Sequence, residues 1–325
     1  MELLALVALA VRADDVISGG PMPAYAEMTE TAIWVQTRRP ARIAIEYRPL
    51  ERLQYQQGQP ARWVAATGER KRSAEVFANA ANDHIANVRI AGLTPGTRYA
   101  YTVLTNGRAA RLPSNLKFQT QPHWRWATRP PQPPAFRFLI GSCSYLNQAD
   151  TDRPGTPYGG DYEIYGAMAR QNADFMIWLG DNVYYREMDW LAESEMRQRW
   201  RYDRSHPVMQ PVLQSMHHYA TWDDHDFGPN NSDRSYRLKP EALRVFSDYF
   251  PSPVRGLAEA PGVFHRFEWA DVEFFLLDDR YHRSPNDAPN TPDKTMLGPH
   301  QLQWLKDSLL NSEATFKVVA NGGQM

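Results

Sequence analysis

DFMIWLGDNVYY, residues 174–185, joins the pattern of a buried strand to a ligand-rich end. Phe175–Leu179 is a short apolar run bounded by Asp174 and Gly180, as expected of a strand covered on both faces. Gly180, Asp181 and Asn182 then leave a carboxylate and an amide at the carboxyl end of a central strand, the edge where open α/β sheets bind ligands. YATWDDHDFGPNN, residues 219–231, repeats the design with a β-prone run ending in Asp223, Asp224, His225 and Asp226. FRFLIGSCS, residues 136–144, ends in Gly141, Ser142 and Cys143. Three strand ends carrying oxygen, nitrogen and sulfur donors predict one metal site built by converging loops.

Around these stretches, residues 135–325 alternate strand and helix patterns. Helices are predicted over 162–170, 191–202, 209–216, 239–250 and 301–310, and further strands over 272–278 and 316–320. Leu302, Leu305 and Leu309 share one face of the last helix, flanked by Trp304. The alternation implies a mostly parallel sheet with helices on both sides. Residues 14–121 contain no amphipathic helix. Short strand patterns at 32–37, 42–47, 87–90 and 99–104, separated by turn residues, predict an all-β sandwich with Trp34 in its core. LTPGTRY, residues 93–99, is similar to the fibronectin III and immunoglobulin-like corner in which a Tyr hydroxyl ties back to the loop. Between the two halves, residues 122–134 form a stiff proline-rich linker, in which Trp124 and Trp126 are expected to pack on a domain.

Residues 1–13 carry an apolar run like the core of a secretory signal and far too short to span a bilayer, so a secreted or periplasmic location is expected. With 36 basic and 37 acidic residues, no global field draws the chain to nucleic acid or membrane. Cys143 is the single cysteine, which excludes an intramolecular disulfide.

Each candidate ligand has a plainer reading beside it. Asp181 could cap a turn, and the 223–226 cluster could be a solvated acidic loop. Like charges so dense favour a cation or protonation, however. Strand alternation would send Asp224 and Asp226 to one side and Asp223 and His225 to the other. Cys143 fits a buried small hydrophobe, a nucleophile or a thiolate ligand. Arg234, Arg237 and Lys239, with Arg280, His282 and Arg283, are candidates for clamping a phosphate or for a solvated surface. His217 and His218 read as structural.

GSC (141–143), LGDNVYY (179–185), TWDDHD (221–226) with Asn230 and Asn231, FFLLDDRYHR (274–283) and LGPHQLQWLKDSLLNS (297–312) together resemble the PhoD-type alkaline phosphatases of the metallophosphoesterase superfamily. The match runs over about 136–324, in that family's order. The resemblance implies an α/β/β/α catalytic domain after an amino-terminal β-sandwich. It also implies a ferric ion with calcium, and small phosphate-ester substrates cleaved by a metal-activated hydroxide. By motif position, Cys143 and Tyr184 would hold iron, Asp181 would bridge the metals, and Asp224 and Asn230 would serve calcium. His225 would steady the leaving group. The family's remaining ligands lie in a downstream Gly-Asp-x-His-type motif with no counterpart after Leu297, so a catalytic domain incomplete at its carboxyl end is expected, with apolar sheet edges exposed. Two rival functions follow from the same residues: a binding or adhesion protein worked by the β-sandwich, and a cysteine hydrolase using Cys143 with His225.

Overall fold

Ten strands of the amino-terminal half pair antiparallel into two facing sheets. A computed structural model describes residues 16–323; the signal-like stretch 1–13 lies outside the described residues. In chain order the strands are β1 (Ile17–Ala26), β2 (Glu30–Thr37), β3 (Ala41–Gln56), β4 (Gln59–Ala65), β5 (Lys71–Arg72), β6 (Val76–Ala78), β7 (Ile85–Ala91), β8 (Thr97–Thr105), β9 (Arg108–Ala109) and β10 (Lys117–Gln119). One sheet runs β1-β2-β7, the other β10-β8-β3-β4, with the short β5, β6 and β9 attached. Between them Ile33, Val35, Val88 and Ile90 meet Ile43, Ile45, Tyr101, Val103 and Phe118. β3 runs well beyond the expected 42–47 because Pro49 falls at a register shift against β8, where its missing N–H interrupts little of the ladder. The Tyr99 hydroxyl accepts a hydrogen bond from the Thr94 amide at 2.8 Å, tying the corner as its sequence suggested.

Trp34 corrects an expectation. It alternates with Ile33 and Val35, so its ring leaves the sandwich core and packs with Met22 and Tyr249 in a second core shared with helices. The β1-β2-β7 sheet is therefore covered on both faces, and the proline-rich stretch joins two halves that already share a core. Trp124 is anchored there through its indole N–H to the Ala270 carbonyl (3.1 Å), whereas Trp126 is 66% exposed, contrary to expectation.

In the second half, β11 (Phe138–Gly141), β12 (Phe175–Leu179) and β13 (His217–Thr221) form a parallel sheet with β12 central and Ile140, Ile177 and Tyr219 in register. The single sheet expected from the strand pattern is instead two. A separate sheet holds β14 (His265–Trp269), β15 (Val272–Leu276) and β16 (Phe316–Ala320), β14 antiparallel and β16 parallel to β15. Apolar runs report burial and not which sheet a strand joins. Phe175, Ile177 and Tyr219 face Phe267, Phe274 and Leu276 across the gap, with the Tyr219 and Phe267 rings stacked. On the opposite face Met176, Trp178 and Ala220 meet helices α1 (Glu163–Ala169), α2 (Glu193–Ser205), α3 (Gln210–Leu213) and α5 (Lys239–Tyr249), while α4 (Asp224–Phe227) is one short turn.

Helix α6 (Pro299–Asn311) docks differently from its apolar pattern. Its buried residues are Gln301 and Ser308, and Leu302 is 40% exposed. The Gln301 amide holds both backbone groups of Asp278, and Trp304 packs on Phe264. Ile140 on β11 and Phe316 on β16 are each 62% exposed.

Candidate metal centre

The three parallel strands deliver their loops to one edge. At that edge Gly180 has φ +86°, and a side chain there would meet the Asp223 amide and Cβ at 2.6 Å, so only glycine lets the ends of β12 and β13 pass. The Cys143 amide donates to the Gly180 carbonyl (3.3 Å) and the Ser144 amide to the Asp181 carbonyl (2.8 Å), which stitches the first loop to the second. Cys143 and Asp181 both sit in the left-handed region, at φ 60° and 50°. Non-glycine residues in that region are held there by their surroundings and concentrate at functional sites.

Asp181, Asp224 and His225 bring donor atoms within 4.8 Å of one another. The Cys143 thiol lies 3.8 Å from the Asp181 carboxylate, and the Tyr184 ring lies 4.4 Å from that of His225. The His225 amide donates to Asp181 at 3.2 Å, fixing the third loop on the second, while its buried Nδ1 has no partner among the described residues.

The 223–226 run does not alternate as a strand would. Asp223 caps the short helix α4, so its neighbours fan out at helical angles. Asp224 and His225 face Asp181; Asp226 turns inward to accept from the Asn182 amide at 3.0 Å and the Asp223 amide at 2.8 Å. Asp226 is thus a brace between loops, and Asn182 is held by it and by the Thr221 carbonyl. Asp223 instead pairs with Arg280 at 2.5 Å.

Of the other candidates, Arg280 alone among the proposed phosphate-binding cations joins this edge. Arg237 donates to the Leu191 carbonyl, Lys239 to the Tyr281 carbonyl and His282 faces the Pro261 carbonyl. Arg234 is exposed, its amide bonded to the Arg283 carbonyl. Asn230 is exposed too, and it is the Asn231 amide that reaches Asp224, at 2.6 Å. Asp279 was not singled out from the sequence. Fully buried, it accepts from the Gly323 amide at 2.8 Å and stands 3.9 Å from Arg280. Its position second in a pair of aspartates after a buried strand was the available signal.

Charge at this edge is unbalanced. Burial raises the Asp181 carboxyl, His225 and Tyr184 oppose that rise, and Asp224 and Asp223 add to it. Burial, with the adjacent Cys143 and Asp181, also pushes the Tyr184 phenol well up. Asp279 is raised to about 7 by burial and by Asp223. Crowded carboxylates, a phenol, a thiol and an unpartnered imidazole nitrogen form a donor set that a cation would relieve. The residues present fit a metal.

In architecture the chain is similar to PhoD and to a purple acid phosphatase of known structure. The structure of PhoD superposes with a TM-score of 0.71 at 19% identity, covering 95% of this chain and 63% of that one. A purple acid phosphatase from yellow lupin (Lupinus luteus) seeds superposes with a TM-score of 0.58 at 12% identity, covering 92% of this chain and 50% of that one. At these identities the likeness is one of fold. The sequence settles the membership: the PhoD-like phosphatase family model matches residues 138–325, and the chain belongs to that family. Residues 15–123 match a domain of unknown function, DUF7800. Alkaline phosphatase D of Bacillus subtilis (strain 168) is 23% identical over 310 residues, covering 81% of this chain and 49% of the relative. The chain thus spans about half the length of that curated relative.

Proposed function

We propose that this protein is a metal-dependent phosphoesterase whose site is the edge formed by Cys143, Asp181, Tyr184, Asp224 and His225. The observation that carries the reading is the convergence of the Asp181, Asp224 and His225 donors from two strand ends within 4.8 Å, with the Cys143 thiol beside them. Asp181 and Asp224 would hold metal, with Cys143 and Tyr184 at one flank and Asn230 or its neighbour at the other. The family resemblance assigns a ferric ion to the anionic thiolate and phenolate, and the oxygen donors suit calcium. A bound cation supplies Lewis acidity and neutralises the phosphoryl charge.

The chain's own residues do the rest. His225, unpartnered at Nδ1 among the described residues and tilted against the Tyr184 ring, is placed to hand a proton to the departing ester oxygen. Arg280, fixed by Asp223, offers a cation at the same edge. The Cys143 thiol faces a carboxylate, which argues against its service as a nucleophile activated by His225. Around this site we read a fibronectin III-like sandwich (14–121), a linker (122–134) and the catalytic domain from 135, acting on small phosphate esters outside the cytoplasm. Among the described residues no helix is long and apolar enough to cross a membrane.

His225→Asn tests the assignment. Turnover of bis(p-nitrophenyl) phosphate, compared at equal metal loading, should fall by about 10²–10⁴ while circular dichroism stays unchanged. Unchanged turnover would remove His225 from the chemistry.

A further inference from the structure

We propose that the rim of this site recognises a planar leaving group, so that the preferred substrates are phosphate esters of nucleotide type; the inference rests on the phosphoesterase reading above. A line of rings leads outward from the donor cluster. His225 lies 4.4 Å from Tyr184, Tyr184 4.9 Å from Tyr145, and Tyr145 5.0 Å from Tyr158 in an edge-to-face contact. None of these three tyrosines belongs to the hydrophobic cores described above. The line is not explained as core packing.

Its inner part is rigid and its outer end is open. The Tyr145 hydroxyl donates to Asp152 at 2.8 Å, and Asp152 also takes the Gln148 amide and the Arg186 guanidinium, each at 2.7 Å. Arg186 in turn donates to the Leu146 carbonyl and lies 4.4 Å from the centre of the Tyr145 ring. At the far end Tyr158 is 43% exposed, with the exposed Arg153 guanidinium 4.2 Å from its ring centre. Arg153 forms no ion pair among the described residues, so its plane is free to stack on a second ring.

The charge of this rim selects the class of ligand. Aromatic clusters often bind quaternary ammonium groups, but here two guanidiniums already lie over ring faces, and another cation would meet like charge. A simple alkyl group would gain little from flat rings. A neutral planar base linked through a sugar to an anionic phosphate satisfies both ends: the phosphate sits at Asp181, His225 and Arg280, and the base lies against Tyr158 and Arg153. Stacking on an exposed aromatic ring is a sequence-tolerant way to hold any base.

The experiment is calorimetric titration of the purified, metal-supplemented chain, carrying His225→Asn throughout to suppress turnover, with adenosine 5′-monophosphate, ribose 5-phosphate and adenosine. The nucleotide should bind about tenfold or more tightly than ribose 5-phosphate. Tyr158→Ala should abolish that ratio without weakening ribose 5-phosphate, and Tyr158→Phe should preserve it. Equal affinities for nucleotide and ribose 5-phosphate with Tyr158 intact overturn the inference and leave the phosphate site standing. Adenosine bound with no affinity for ribose 5-phosphate supports the platform and overturns the phosphate-site reading. Binding of none of the three overturns both.

Discussion

Gly180 shows how tightly the site is built at the scale of one residue. Its left-handed backbone and the contact of 2.6 Å that a Cβ would make with Asp223 allow no other side chain without moving a loop. Gly180→Ala should cost about 2 kcal/mol or more in urea unfolding. The same variant should displace Asp181 from Asp224 and lower metal occupancy; unchanged stability would show that the loops have slack. Chemistry at this scale was partly legible. Donors at strand ends drew notice to Asp181, Tyr184, Cys143 and the 223–226 run, and the family resemblance picked Asp224 and His225 out of that run. Asn230, Arg234 and Arg237 could not be sorted from Asn231 and Arg280, because residue type does not fix the direction in which a loop side chain points. Asp279 escaped notice for the same reason.

Among the elements, the apolar run located β12 to the residue, since a strand covered on both faces has no polar alternation to confuse it, and placed β11 and β13 to within about two residues. What the runs left open was partnership. VEFFL read as one more strand of a single sheet, whereas it pairs in a second sheet through the turn at Ala270. Trp34 read as sandwich core and instead serves the joint with α2 and α5. That joint has a polar key. The Tyr249 hydroxyl on α5 donates to Asp83 at 2.7 Å and accepts from Gln36 at 2.9 Å, all three buried in the β-sandwich contact. Tyr249→Phe should remove one hydrogen bond from each partner, leaving Gln36 its bond to the Asp83 carbonyl and Asp83 its pair with Arg201, and cost about 1–3 kcal/mol, read as a lowered denaturation midpoint. A change below about 0.5 kcal/mol would mean that the partners find substitutes.

For the whole molecule, His217 welds the β-sandwich to the parallel sheet, and His218 ties that sheet to α3. His217 accepts from the Gln119 amide at 3.0 Å and faces the Ala24 carbonyl; His218 accepts from the Trp178 indole at 3.0 Å and faces the Val212 and Leu213 carbonyls. Burial lowers them to about 4 and about 3. The folded protein keeps both neutral while the unfolded chain takes up protons below about 6.5. Their contribution to stability is therefore complete above that pH and withdrawn as pH falls toward 4, at up to about 1.4 kcal/mol per pH unit for each imidazole. Proton NMR of the two rings should show no titration between pH 8 and 5, and a midpoint near 6.5 would contradict their burial.

Whether the strand-end cluster holds metal is read by elemental analysis with plasma mass spectrometry after exhaustive dialysis. The wild type should carry near-stoichiometric metal, iron with calcium if the proposed donors set the identity, and Asp181→Asn should lose it with the fold retained. A wild-type chain without tightly held metal, or an Asp181→Asn variant that retains the same content, would contradict a metal site at this edge.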